Sequence, residues 1–522
     1  MQMLDFYPCQ AWFSPGEPAR LTLSLEAETG GMLETKLTIT HLEHIASTVV
    51  SRHEVRPGVN RIELRWQPPA AAPAGYGAAI QVNDGKEPLW TAFDVLPSWS
   101  AFPRYGFLCD FAAGRDDAAA TLEQLLPYHI NGLQFYDWQY RHDCLLPPGD
   151  EYLDPLGRAL SLNAVRTLIE AAHERKLAAL PYLAIYAASA DFWREHAEWA
   201  LYDISGNPIP FGDNFLGLMD PSAGQPWADH LLQACATTLA RLPFDGLHID
   251  QYGEPHEAWD ASGTPVDLPR AFTDFIAAAR GRFPGKAVLF NAVGNWPIES
   301  LAEAALDFLY IEVWPPEVAY ADLVEIALNA RRLSAHKPVV IALYLPASQP
   351  ANNLLADTLL LACGAGRIEL GEDARLLADP YFPRHQFPDA ALKLSLRQLA
   401  DFYVRYGEWL GPAVPVPDNF EVERQGEIWC FPRVRAGQRT IVMVNLSGLG
   451  GNPRWDEAHP MPARVNNPAF RFQLGRPARR VLWYCPEEPQ RPAQSLEFSY
   501  QNGWLEFRLP QINLLAGVTI DE

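Results

Sequence analysis

The sequence predicts an α/β protein in which a (β/α)8 TIM barrel is flanked by an N-terminal immunoglobulin-like β-sandwich and a C-terminal antiparallel β-sandwich. Short stretches near both ends of the 522-residue chain alternate apolar and polar residues, a two-residue period typical of half-buried strands. Between them, short apolar runs alternate with helical patterns, which indicates βα units around a parallel sheet. We therefore expect sandwiches over 1–97 and 411–522 and a barrel over 98–410.

The two sandwich predictions rest on strand-length runs separated by Pro and Gly. The N-terminal runs are LTLSLEAET, LETKLTIT, NRIELRWQ and YGAAIQVN. After the Pro-rich GPAVPVPDNF, the alternating pattern returns in GEIWCFPRV, RTIVMVNLS, RRVLWYCPE, SLEFSY and GWLEFRLP. Several short strands with turn residues between them are typical of a β-sandwich.

Eight apolar runs in the middle segment are the candidate barrel strands. Helical patterns such as LNAVRTLIEAAHERK and LPRAFTDFIAAARGRF separate them, and eight such units over roughly 310 residues suit a barrel with insertions. A doubly wound open sheet is disfavoured because CDFAAGRDD, after the first run, lacks the GxGxxG turn. The candidate strands are YGFLCDF (105–111), NGLQFYDW (131–138), LAALPYLAIY (177–186), DGLHID (245–250), AVLFNAVG (287–294), DFLYIEVW (307–314), PVVIALYLP (338–346) and GRIELGE (366–372).

Composition excludes several kinds of partner. The net charge is −22 and no run of Lys or Arg appears, so nucleic acid and anionic membrane surfaces are poor partners. The seven cysteines form no CxxC pair, which argues against a zinc ribbon or a disulfide framework. No apolar stretch approaches ~18 residues, the length of a membrane span, and the first residues lack the pattern of a signal peptide. We expect a cytoplasmic protein, or a secreted one if a signal peptide has been removed from the chain, and its oligomeric state stays open.

Acidic side chains close five of the eight predicted strands. Barrel enzymes place their sites at the carboxyl ends of the strands, so these acids should crowd one mouth. One or two could cap helices, but five would repel each other unless substrate hydroxyls, a proton or a metal were shared among them. The acids are Asp110, Asp137, Asp250, Glu312 and Glu369, with Asn291, Trp138, Tyr252, Trp314 and Tyr344 beside them.

This rim suits glycoside cleavage, which needs two carboxyl groups around the scissile bond, and aromatic side chains offer flat surfaces to sugar rings. Schiff-base chemistry would need a lysine at a strand end, and Lys176, Lys286 and Lys337 all precede strands. A metal-dependent hydrolase of the barrel type would have His-x-His on the first strand, where the sequence has CDF. We expect no cofactor and no metal.

Six strings between residues 102 and 383 carry a family resemblance: FPRYGFLCDF, INGLQFYDWQYRHD, FDGLHIDQYG, FLYIEVWPP, GRIELGED and LLADPYFP. In these strings and in their order, the chain resembles glycoside hydrolase family 66, the dextranases and cycloisomaltooligosaccharide glucanotransferases. The resemblance implies a retaining double displacement on α-1,6-linked glucan, with Asp250 as nucleophile and Glu312 as acid/base. It further implies a carboxyl separation of ~5–5.5 Å, against ~6.5–9.5 Å for inversion, with a raised pKa for Glu312 and an ordinary one for Asp250.

The other candidate residues are expected to contact the substrate. Asp137, Trp138 and His142 are expected to line the sugar subsite on the non-reducing side of the scissile bond, with core packing as the alternative for Trp138. A turn-packing role is the alternative for Tyr252, and a strand-end role for Asn291. The remaining expected contacts are Asp110, His248, Trp314 and Glu369.

Two departures from the family pattern shape the expected activity. No signal peptide is visible, which favours imported isomaltooligosaccharides over an extracellular polymer as substrate. No β-rich carbohydrate-binding block is visible between residues 98 and 410, which favours hydrolysis over cyclisation. A glucanotransferase is the alternative enzyme, and a non-catalytic glucan-binding protein is the alternative from another class.

Overall fold

The predicted order of sandwich, barrel and sandwich is confirmed in the computed structural model. Part of the predicted linker GPAVPVPDNF, at positions 416 and 418–420, lies outside the residues that the structure describes. The described residues are 2–83, 87–368, 370–415, 417, 422–435 and 437–522.

The N-terminal segment is a two-sheet sandwich. Its strands are β1 (Gln2–Pro8), β2 (Ala19–Ala27), β3 (Gly31–His41), β4 (His44–Val55), β5 (Gly58–Trp66), β6 (Ala74–Val82) and β7 (Leu89–Val95). They form two antiparallel sheets, with the orders β1-β2-β5 and β4-β3-β6-β7. Leu21 and Leu23 of β2 share one buried core with Ile39 of β3 and Phe93 of β7, because alternate residues of each strand face the other sheet.

The middle segment contains the barrel. Its strands are β8 (Tyr105–Leu108), β9 (Gly132–Phe135), β10 (Glu151–Leu153), β11 (Ala159–Ser161), β12 (Ala178–Ala184), β13 (Ala187–Ser189), β14 (Pro210–Phe211), β15 (Leu216–Leu218), β16 (Gly246–Asp250), β17 (Ala258–Trp259), β18 (Pro265–Val266), β19 (Ala287–Val293), β20 (Leu309–Glu312), β21 (Val339–Ala342) and β22 (Gly366–Ile368). Eight of these described strands form one sheet, in the order β22-β21-β20-β19-β16-β12-β9-β8. The sheet closes because the amide of Phe107 donates to the carbonyl oxygen of Leu370 over 3.1 Å. Each predicted run contains one barrel strand.

Helices pack around the barrel. They are α1 (Ala118–Glu123), α2 (Leu162–Glu174), α3 (Ala190–Glu195), α4 (Pro226–Arg241), α5 (Leu268–Arg282), α6 (Ile298–Glu303), α7 (Tyr320–Leu333), α8 (Pro350–Cys363), α9 (Ala390–Arg405) and α10 (Gly407–Leu410). Both helical stretches named from the sequence are present, as α2 and α5. Asp267 begins α5 as an N-cap, because its carboxylate accepts from the amide of Arg270 over 3.1 Å. Among the described helices, none combines the length and hydropathy that crossing a membrane requires.

The C-terminal segment is the second sandwich. Its strands are β23 (Glu423–Gln425), β24 (Ile428–Arg435), β25 (Gln438–Asn445), β26 (Val465–Asn466), β27 (Ala469–Gln473), β28 (Arg480–Tyr484), β29 (Gln494–Ser495), β30 (Phe498–Gln501), β31 (Trp504–Arg508), β32 (Gln511–Ile512) and β33 (Leu515–Asp521). The larger sheet has the order β23-β24-β25-β33-β28-β29, and a smaller one the order β27-β31-β30. Ile441 and Val518 of the larger sheet share a buried core with Phe472 and Phe507 of the smaller.

Buried arginines join both sandwiches to the barrel. Arg104, just before β8, donates to Asp94 of β7 over 2.8 Å. Arg433, on β24, is fully buried and donates to the carbonyl oxygens of Leu361 and Ala362 over 2.7 and 2.9 Å. These carbonyls end α8, and a cation is favourable at that end because the helix dipole is negative there.

Candidate active site

The acids that close two barrel strands lie at one mouth. Asp250 is the last residue of β16, and Glu312 is the last residue of β20. Between these strands in the sheet lies β19, which carries Asn291. All three side chains line a cavity of about 470 Å³. The cavity opens at the carboxyl ends of the strands, the end at which barrel enzymes hold their sites.

One amide nitrogen holds both carboxylates. Asn291 Nδ2 donates a hydrogen bond of 2.8 Å to Asp250 Oδ1 and one of 2.7 Å to Glu312 Oε2. Because both bonds start at the same nitrogen, these two oxygens lie no more than 5.5 Å apart. Closure of the barrel therefore brings two acids from separate strands into one constellation.

Each carboxylate has a second donor, which is a tyrosine hydroxyl. Tyr182, on β12, donates to Asp250 Oδ2 over 2.9 Å, and Tyr344, just after β21, donates to Glu312 Oε1 over 2.7 Å. Tyr182 is absent from the residues predicted to act at the site. It lies two residues before the end of its strand, and its long side chain reaches the acid that closes the neighbouring strand. That position was the signal available in the sequence.

Burial raises the pKa of both carboxyl groups. For Asp250, enclosure in the cavity is the larger cause and the like charge of Glu312 is the second. For Glu312, burial outweighs the hydrogen bonds from Tyr344 and Asn291, which favour the anion. The expectation of an ordinary pKa for Asp250 is wrong, because this acid is enclosed and faces a second carboxylate. Two such close acids retain one shared proton more readily than isolated ones.

Aromatic rings form much of the cavity wall. Trp314 is 37% exposed, and its ring centre lies 5.6 Å from that of Tyr344. The ring of Tyr252 stacks on Phe211 at 4.1 Å with an interplanar angle of 19°. Phe211 and Phe215 lie on and beside β14 and β15, in an insertion between barrel strands. Neither phenylalanine is among the residues predicted from the sequence, because both lie in this insertion and not at the end of a barrel strand.

Asp137 and His142 also line the cavity. Asp137 follows β9 by two residues and has a φ of +50°, and burial raises its pKa to about 7 against the opposing charge of Arg158. Burial lowers the pKa of His142 to about 4, so its ring is neutral near pH 7. Its Nδ1 atom has no hydrogen-bond partner among the described residues. Both side chains are therefore placed where a ligand in the cavity would meet them.

The family model for glycosyl hydrolase family 66 matches residues 9–518. The chain belongs to glycosyl hydrolase family 66. Two cycloisomaltooligosaccharide glucanotransferases of Niallia circulans are 27% and 26% identical to it, over 65% and 64% of this chain. The chain spans 38% and 37% of the length of these curated relatives. The family resemblance drawn from the six sequence strings is confirmed.

Solved structures share the fold of this family 66 chain. A crystal structure of a cycloisomaltooligosaccharide glucanotransferase from Paenibacillus sp., complexed with cycloisomaltoheptaose, matches with a TM-score of 0.88 at 20% identity, over 99% of both chains. An α-amylase from Geobacillus thermoleovorans, complexed with acarbose, matches with a TM-score of 0.52 at 11% identity, over 81% of this chain and 99% of its own.

Two residues of the family 66 barrel that were expected to contact substrate are core residues instead. Trp138 is fully buried, donates from Nε1 to the carbonyl oxygen of Tyr182 over 3.2 Å and packs against Phe244. The turn at Asp137 directs it to the layer between barrel and helices, so the expected contact is wrong and the alternative of core packing is confirmed. His248 is 1% exposed and stacks on Tyr105 inside the barrel. It lies two residues below the end of β16 and therefore beneath the cavity floor.

Asp110 also lies outside the cavity, contrary to the contact expected from the sequence. The strand β8 ends at Leu108, two residues before Asp110. The side chain is exposed, and its Oδ1 accepts from the amide of Ala112 over 3.1 Å. It does not line the cavity that the described residues enclose. Glu369 lies outside the described residues, so its expected contact stays a prediction.

A cluster of Cys109, Glu372 and His385 has the donor types of a metal site. Cys109 Sγ lies 3.5 Å from His385 Nδ1 and 3.6 Å from Glu372 Oε2. The guanidinium of Arg375 lies 2.8 Å from His385 Nε2. Since arginine only donates, Nε2 accepts and the ring proton sits on Nδ1, where a metal would need a lone pair. As arranged, the cluster is a hydrogen-bonded link between the end of β8 and the segment that carries Phe382 to the cavity wall.

Proposed function

We propose that this chain cleaves α-1,6-glucosidic linkages with retention of anomeric configuration, with Asp250 as nucleophile and Glu312 as acid/base. The observation that carries the proposal is the bound of 5.5 Å between Asp250 Oδ1 and Glu312 Oε2. Retaining glycosidases hold their two carboxyl groups ~5–5.5 Å apart, whereas inverting enzymes need ~6.5–9.5 Å to admit a water molecule. The short separation supports direct attack by Asp250.

The first step forms a covalent glucosyl-enzyme. Ionised Asp250 attacks the anomeric carbon and forms an ester bond, while Glu312 transfers its proton to the departing glycosidic oxygen. This step needs one carboxylate and one carboxylic acid at the same pH, and a buried pair that retains one proton supplies both. The hydroxyl of Tyr182 and the amide of Asn291 stabilise the anionic form of Asp250.

The second step uses the loss of charge at Asp250. Once this acid is esterified it no longer repels a second anion, so the pKa of Glu312 falls and its carboxylate accepts the proton of an incoming hydroxyl. The oxygen of that hydroxyl attacks the anomeric carbon and releases Asp250 as a carboxylate. A sugar hydroxyl gives transfer, and water gives hydrolysis.

We infer that a sugar hydroxyl is the main acceptor and that isomaltooligosaccharides are the substrates. The two Niallia circulans relatives are named glucanotransferases, which supports transfer over the hydrolysis expected from the sequence. The stacked rings of Phe211 and Tyr252 in the cavity wall add support, since they offer a flat apolar surface to an acceptor sugar. Hydrolysis is the competing outcome whenever water takes the acceptor's place.

Product analysis with isomaltotriose and with dextran tests the proposal. We expect the wild type to form longer or cyclic products, and Asp250→Asn and Glu312→Gln to lower turnover at least about 10³-fold. Asp110→Asn is the matched control, because it removes an exposed carboxylate outside the cavity. If only shorter products form, the activity is hydrolysis and the proposal of transfer is wrong. Binding without turnover of any α-glucan would favour the non-catalytic glucan-binding protein.

A further inference from the structure

Among the residues that the structure describes, only the two acids form hydrogen bonds with the side chain of Asn291. It is 4% exposed, and both protons of its amide nitrogen are used, one on Asp250 and one on Glu312. Its carbonyl oxygen Oδ1 is buried and has no hydrogen-bond partner among the described residues. If the amide were rotated by half a turn, this oxygen would face two other acceptors. The arrangement is therefore built around the donation to the carboxylates.

The amide restricts where the shared proton can sit. An amide nitrogen donates but cannot accept, whereas a hydroxyl can rotate to do either. Asp250 Oδ1 and Glu312 Oε2 face the amide, so a proton between them and Asn291 would meet an N–H group. Asp250 Oδ2 and Glu312 Oε1 face the hydroxyls of Tyr182 and Tyr344. The proton can be accommodated on these tyrosine-facing oxygens without losing a hydrogen bond.

Without the amide, the inner oxygens of Asp250 and Glu312 would face each other directly. Rotation of the two side chains towards each other would then close their present gap of at most 5.5 Å to the ~2.5–2.7 Å of a charge-assisted O–H···O⁻ hydrogen bond between acid and carboxylate. A proton held in that bond is less available to the leaving glycosidic oxygen, and the lone pair of the nucleophile is occupied. The amide of Asn291 fills this space with two donors, and it carries no charge at any working pH.

We propose that Asn291 is a positioning residue that prevents Asp250 and Glu312 from sharing their proton in a direct hydrogen bond. One acid is thereby kept as a free nucleophile and the other as a free proton donor. The inference rests on the proposed function, in which these two acids are the catalytic pair. It gives Asn291 a role exerted through the acids, in place of the substrate contact expected from the sequence.

The pH profile of Asn291→Ala tests the inference. We expect kcat to fall roughly 100-fold, similar to the loss of one preorganised donor in other enzymes. The basic limb of kcat/KM should move upward by about one pH unit, because a direct hydrogen bond and the loss of the amide donors both make the last proton harder to remove. A residue that merely supports the fold would lower kcat and leave this limb in place, and that result would overturn the inference.

A measurement without turnover separates this inference from the proposed function. The side-chain carboxyl carbons of Asp250 and Glu312 can be titrated by NMR in wild type and in Asn291→Ala. We expect the second ionisation of the pair to move to higher pH in the variant, and an unchanged titration would refute the inference. Asn291→Ser serves the same test if the alanine variant does not fold. Full turnover by Asp250→Asn would instead refute the proposed function, whatever the titration shows.

Discussion

Asp250 and Glu312 each present one oxygen to the same amide nitrogen, so these two oxygens lie no more than 5.5 Å apart. Each acid also accepts a hydrogen bond from a tyrosine hydroxyl, Asp250 from Tyr182 on β12 and Glu312 from Tyr344 just after β21. Burial raises the pKa of both carboxyl groups. The mouth of the barrel thus holds two acids whose ionisation is coupled.

The two tyrosines should act on opposite limbs of the pH profile. A hydroxyl that donates to a carboxylate stabilises the anion, so removing it raises the pKa of that acid. Tyr182→Phe should move the acidic limb of kcat/KM, where Asp250 ionises, to higher pH. Tyr344→Phe should move the basic limb, where Glu312 loses its proton, to higher pH. Profiles measured with an isomaltooligosaccharide check this, and limbs that move in the reverse pairing would contradict the assigned roles.

A matched control for the tyrosine variants is Tyr202→Phe. The hydroxyl of Tyr202 donates to the carbonyl oxygen of Ala197 over 2.9 Å, and this residue does not line the cavity defined by the described residues. Its variant should keep both limbs where the wild type has them.

Replacing Asp250 by asparagine should stabilise the protein near neutral pH. Because burial and the facing Glu312 raise the folded-state pKa of Asp250, the folded protein binds more protons than the unfolded chain between the two pKa values. Stability therefore falls as pH rises through that window. We expect Asp250→Asn to increase the free energy of unfolding on the order of 1 kcal/mol at pH 7, with the gain vanishing near pH 4. Denaturant titrations at both values test this, and a less stable variant at pH 7 would contradict the account.

Phe211 should govern the choice of acceptor. It stacks on Tyr252 at the mouth and is 39% exposed, so its ring is available to a sugar. We expect Phe211→Ala to raise the KM for an acceptor oligosaccharide about 3- to 10-fold, since a ring stacking contact is worth roughly 1 kcal/mol. In the same variant, the ratio of transfer products to hydrolysis products should fall. Phe387→Ala is the control, because Phe387 is exposed and does not line the described cavity.

Arg433 should stabilise the junction between the C-terminal sandwich and the barrel. Replacing it by alanine leaves the buried carbonyl oxygens of Leu361 and Ala362 without their guanidinium donor. We expect a loss of about 3 kcal/mol or more in the free energy of unfolding, with kcat unchanged at temperatures where the variant is folded. Arg435→Ala, two residues along the same strand and exposed, should change stability by no more than about 0.5 kcal/mol.

Asp250, Glu312 and Asn291 could be placed from the sequence because each lies at or near the end of an apolar run. The ends of neighbouring parallel strands meet at one rim, and alternation along each strand gives the inward face. The same rule does not predict how deep in the barrel an inward-facing side chain lies. His248 shares that face with Asp250, but it lies one level lower and packs inside the barrel.

Other site residues depend on turns and insertions that periodicity does not describe. The left-handed conformation at Asp137 redirects the chain, so Trp138 points into the core although it follows the strand end. Phe211 and Phe215 reach the cavity from a small sheet inserted between barrel strands. Their place in the site could not be predicted from the sequence because they are far along the chain from the end of any barrel strand. Folding of the insertion brings them to the mouth.

Trapping the covalent intermediate tests whether Asp250 is the nucleophile. A 5-fluoro glucosyl fluoride slows breakdown of a glucosyl-enzyme, and peptide mass spectrometry then locates the labelled residue. We expect one added glycosyl group on Asp250, in the peptide that contains FDGLHIDQYG, and none in Asp250→Asn. A label on another residue, or first-formed products of inverted anomeric configuration without any label, would contradict it.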